Sequence, residues 1–183
     1  MRVAVLVAAL LATACSRDTA QQVHPQPPAR PSAAESLATQ DRDFLERAAE
    51  GNNGELAMGL LVNGHAVRPE VIALGRMIAA DHRAAQQQLA AIAAKKHIAL
   101  PTGLGEHQSS YDHLIDLQRD DFDRGFVQVM LDEHSQAIEL FSGEASGGAD
   151  AELKAYAAAS LPKLEAHLAH AKTLAAIAEN PPQ

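Results

Sequence analysis

The chain has 183 residues, enough for one domain of ordinary size with extensions at its ends. Aromatics make up 3% of it, tryptophan is absent and alanine is abundant, which suits closely packed helices better than a sandwich or barrel. A formal net charge of −8 argues against nucleic acid as a partner, because phosphate binding needs a basic footprint.

Residues 1–14 read as a signal peptide. Met1-Arg2 gives a short positive start, Val3 to Leu11 form an apolar run too short to span a bilayer, and Ala12-Thr13-Ala14 supplies small residues for cleavage. The only cysteine, Cys15, follows at once, so a structural disulfide within the chain is excluded. Its placement resembles a bacterial lipobox, with Ala12 where leucine is usual; that reading makes Cys15 the lipidation site and outer-membrane anchor of a periplasmic protein. Ala-Thr-Ala also fits ordinary signal peptidase, which would leave a free thiol on a soluble protein. Residues 15–38, with Pro25, Pro27, Pro28 and Pro31, have little to bury and read as a disordered tether.

Residues 39–179 carry the folded part. A first helix is expected from an N-cap at Thr39 to about Asn63-Gly64, with Gly51-Asn52-Asn53-Gly54 kinking it. Pro69 suits the first turn of a second helix reaching about Lys96. Pro101, Gly103 and Gly105 then break the chain, and a short helix near Glu106 to Leu117 sits within the long connection. The third helix covers about Asp121 to Ala145, and Asp150 caps a fourth that Pro162 should bend. Connections that run short, long, short suit an all-α four-helix bundle with one crossover, the ferritin-like arrangement, in which the second and third helices run parallel.

Each long helix places one ionisable side chain on its apolar stripe. The stripes are Phe44, Ala48, Gly51, Glu55, Met58, Val62; then Val71, Gly75, Ile78, His82, Ala85, Leu89, Ile92; then Phe126, Met130, His134, Ala137, Phe141; then Leu153, Ala157, Ser160, Leu164, His167, Ala171, Leu174. A polar group there costs a few kcal/mol unless it finds a partner. Glu55 has an escape, because Leu45, Ala49, Leu56 and Leu60 define a competing apolar face.

Several blocks carry a family resemblance. They are Met77 to His82, Leu89 to Lys96 with Leu100-Pro101, Phe122 to Phe126, Met130 to His134, Glu152 to Tyr156, and Leu161-Pro162-x-Leu164-x-x-His167. Over about residues 40–178 the chain resembles domain-of-unknown-function family 4142, exported bacterial proteins often labelled as outer-membrane proteins. The resemblance implies a ferritin-like helical bundle, with Glu55, His82, His134 and His167 at the family's polar positions. It supplies no established reaction.

Three imidazoles and a carboxylate at one level suit zinc, copper, iron or manganese. Asp81, Asp132, Glu133 and Glu165 stand beside these residues in sequence as candidate acceptors for ring N–H groups. A ferritin-type di-iron centre wants Glu-x-x-His pairs, yet Ala79, Leu131 and Leu164 precede the three histidines at that spacing. His170 is either a further imidazole or a rim residue. His24, His65, His97, His107 and His113 share no spacing and are expected in solvent, while Met58, Met77 and Met130 read as core rather than copper thioethers. Three function classes remain open: a non-enzymatic envelope protein binding one transition metal, a metal-free module whose polar layer fixes helix packing, and a mononuclear-metal redox enzyme.

Overall fold

The structure, a computed structural model, describes residues 37–179; the expected signal peptide, Cys15 and the tether up to residue 36 fall outside it. Its long helices are α1 (Thr39–His65), α2 (Pro69–Lys95), α4 (Arg119–Gly147) and α5 (Ala151–Glu179). A 3-10 turn (Gly105–His107) and the short helix α3 (Gln108–Ile115) occupy the connection between α2 and α4. Pro69 stands in the first turn of α2, where its missing N–H costs no helical bond. Asp150 caps α5 by accepting the Glu152 and Leu153 N–H groups, both at 3.1 Å. Thr39 is not a cap: Ala38 holds that position, without a side-chain bond. Both α1 and α5 are unbroken, the first through Gly51–Gly54 and the second through Pro162.

Burial follows the stripes and gives the helix directions. One apolar cluster joins Met58 and Val62 of α1 to Val71, Leu74 and Ile78 of α2, Phe122, Phe126 and Met130 of α4, and Ala171 and Leu174 of α5. A second joins Phe44 to Ala49 of α1 with Leu89 and Ala93 of α2, Phe141 of α4, and Leu153 to Leu164 of α5. The first halves of α2 and α4 therefore share one end of the bundle, and the first halves of α1 and α5 share the other. The pairs α1–α2 and α4–α5 are antiparallel, while α2 and α4 run parallel, as one crossover requires. Glu55, His82, His134 and His167, one from each long helix, lie between the two clusters.

Contacts reach across the pairs at both ends. Asp123 of α4 is buried and accepts the N–H groups of Val67 and Arg68 (3.2 and 2.9 Å), so it satisfies the α1–α2 turn. Reciprocally, Asp41 of α1 accepts the N–H groups of Ala149 and Asp150 (2.8 and 3.0 Å) in the α4–α5 turn. Beside Asp41, burial and that neighbour's charge raise the Glu144 carboxyl from 4.5 to about 7. Its folded value lies above its unfolded one, so the fold keeps a proton that the unfolded chain gives up. That contribution is fully present below about pH 4.5 and is lost as pH rises through about 7. Thermal unfolding followed against pH should show the decline, and Glu144→Gln should flatten it by up to about 1.4 kcal/mol per pH unit.

Candidate metal centre

Midway along the bundle the apolar interior gives way to a layer of ionisable groups. Glu55, His82, His134 and His167 are 2%, 5%, 0% and 2% exposed, so the Glu55 stripe faces inward; of the competing face Leu45 and Ala49 are buried as well, while Leu60 is 47% exposed. One ring nitrogen from each of His82, His134 and His167 lies within 4.8 Å of the others. Ring centroids are 5.0 to 5.8 Å apart. Glu55 Oε2 stands 3.1 Å from His134 Nε2 and 3.4 Å from His82 Nε2.

The outward nitrogen of each ring is committed. His134 donates from Nδ1 to the Met130 carbonyl at 2.9 Å. His167 donates from Nε2 to Asp81 at 3.0 Å, and Lys163 in turn pairs with that carboxylate. His82 donates from Nδ1 to the Asn52 side-chain oxygen at 3.0 Å. The Asn52 orientation is fixed by its amide nitrogen, which donates to Gln86 and to the Tyr156 hydroxyl (both 3.2 Å); that hydroxyl donates to the Ala85 carbonyl. Three neutral rings held in this way present only lone pairs inward, from His82 Nε2, His134 Nε2 and His167 Nδ1.

No ring proton remains for the inner contacts. His134 Nε2 and His167 Nδ1 face each other at 3.0 Å, while Glu55 Oε2 and His82 Nε2 are buried without a hydrogen-bond partner. An added proton is disfavoured on the rings: burial pushes His82 and His167 down, and His134 down to about 4. Burial, reinforced by the Glu133 charge, pushes the Glu55 carboxyl well above its usual value. A neutral Glu55 supplies one proton, too few for three lone pairs. The donor set therefore fits a cation.

Of the four acidic neighbours, only Asp81 holds a ring of the cluster, and the ring is His167 of α5 rather than adjacent His82. Asp132 bonds Gln128 and is exposed; Glu165 is also exposed. Glu133 turns to the crossover instead, accepting from His107 Nδ1 at 2.5 Å and from the Ser110 hydroxyl at 2.7 Å. Burial works against a charge on His107, but Glu133 outweighs it and raises the imidazole. The expectation of a solvated His107 is thus corrected. His65 is likewise engaged, with Nδ1 2.8 Å from the Leu117 carbonyl. His170 lies half-buried outside the close group, and Met58 and Met130 are core.

The matching family model is the domain of unknown function DUF4142, over residues 26–174. The chain belongs to the DUF4142 family. No curated protein matches it. Among solved structures, this DUF4142 chain is similar to a DUF305 fragment from Deinococcus radiodurans, at 13% identity and TM-score 0.68, over 76% of this chain and 97% of that one. It is also similar to a DUF305 protein from Streptomyces coelicolor named as secreted, at 14% identity and TM-score 0.64, over 75% and 92%. At such identity the likeness concerns the fold. No described helix is long and apolar enough to cross a membrane.

Proposed function

We propose that this DUF4142 domain binds one divalent transition-metal ion through His82 Nε2, His134 Nε2, His167 Nδ1 and Glu55 Oε2. One observation carries the reading: every outward ring nitrogen has its acceptor, so three buried lone pairs and a carboxylate converge without the protons to reconcile them. Imidazole with one carboxylate suits zinc, copper, iron or manganese. The role is sequestration rather than turnover. Full-length protein made without an affinity tag should hold about one such ion and gain thermal stability on titration with it. No stoichiometric metal, and no stabilisation by any of the four, would sink the reading in favour of a metal-free polar layer.

Asp81 and Asn52 act at one remove, by holding His167 and His82 in the ligating tautomer. Asp81→Asn should weaken the metal by about 10- to 100-fold without removing a ligand, as isothermal titration would show. Residues 1–14 and Cys15 support a reading of the protein as an exported lipoprotein of the envelope. Cys15→Ser should then move it from the membrane fraction to the soluble one. Unchanged fractionation, with no lipid label on the wild type, overturns the anchor.

A further inference from the structure

Between the histidine cluster and the crossover lies a cavity of about 30 Å³, room for about two water-sized bodies. Glu55 and His82 line its inner side, and their Oε2 and Nε2 are the buried atoms without hydrogen-bond partners. His107 and Glu133 line its outer side. We propose that this cavity is a binding position for a small monoanion of azide or cyanide size, seated beside the cation. The inference rests on the metal reading and deepens it by naming a second ligand.

Charge supports the choice of ligand. A divalent ion with three neutral imidazoles and one carboxylate keeps one net positive charge, and a buried charge is costly until it is paired. One monoanion completes neutrality. On the outer wall the charges are paired, Glu133 with His107 and Glu106 with Arg47, so neither carboxylate faces the anion alone. His107 keeps Nε2 beside Gly51, where an added Cβ would stand 3.4 Å from that nitrogen. With Nδ1 given to Glu133, Nε2 carries a hydrogen in the protonated ring, the form that Glu133 favours, and is then a donor on the cavity wall. Small size is imposed by the volume, since about 30 Å³ leaves no room for a bulky carboxylate.

The test uses the full chain loaded with one cobalt(II) ion and follows its visible absorption during anion titrations. Azide should shift the cobalt bands saturably, and benzoate should leave them unchanged. Ala137→Leu, which fills the cavity, should weaken azide about tenfold or more at unchanged cobalt content. Bands indifferent to saturating azide, with cobalt bound, overturn the anion position and leave the metal reading standing. So does an equal response to azide and benzoate in the wild type, which needs no variant to fold. Failure of the wild type to bind cobalt removes both.

Discussion

Replacing His82 and His134 together by alanine is expected to abolish metal-dependent stabilisation. For the wild type, an ion at a thousandfold its Kd should add about 4 kcal/mol to folding, because only the folded chain gathers the ligands. The double variant should show no such difference between metal-loaded and chelator-treated samples. Alanine also leaves cavities where the rings were, at a cost of a few kcal/mol. That cost is the same with and without metal, so the difference between two melting curves isolates binding. A polar layer that only fixes packing would give equal curves for the wild type as well.

The second large effect is expected at the α1–α2 contact. A Cβ built on Gly59 would lie 2.6 Å from the Gly75 carbonyl oxygen and 3.1 Å from the Ala79 Cβ. The obstacle is backbone, which cannot swing aside, so Gly59→Ala must push the helices apart. Overpacking of this kind costs about 1–3 kcal/mol, occasionally more, and denaturant unfolding would measure it. Gly59 lies one turn beyond Glu55, and Ala79 one turn before His82. Separating the helices therefore lengthens the 3.4 Å approach of Glu55 Oε2 to His82 Nε2, and metal affinity should fall with stability. A Gly59→Ala protein as stable as the wild type would show that α1 and α2 tolerate more separation than this geometry allows.

The helical period made four positions legible in the sequence. Glu55, His82, His134 and His167 interrupt otherwise apolar stripes, and a buried stripe must converge on its neighbours. The short, long, short connections likewise carried the parallel course of α2 and α4. What the sequence hid depends on contacts between helices. Asn52 reads locally as a helix breaker, yet it is buried between α2 and α5 with both ends of its amide bonded; tertiary partners override a weak propensity. Asp81 stands beside His82 in the chain but serves His167, because successive residues of a helix point about 100° apart. Asp132 and Glu165 fail as acceptors for the same reason. His107 sits in an aperiodic connection, where no pattern announces burial. Its signal was Gly54, where an added Cβ would come 2.7 Å from the His107 Cβ.

The crossover topology has a consequence for how fast an ion comes and goes. The four candidate ligands come from four different helices, so no short stretch of chain can hold a cation by itself. The ligands themselves are almost wholly buried, although a second cavity of about 210 Å³, lined by Asp81, His82 and His167, adjoins the cluster. Letting go of an ion held from four helices still requires those helices to part, so the exchange rate of bound metal becomes a clock for bundle opening. Radioactive or isotopic metal exchange should keep pace with hydrogen exchange of the most protected amides in α4 and α5.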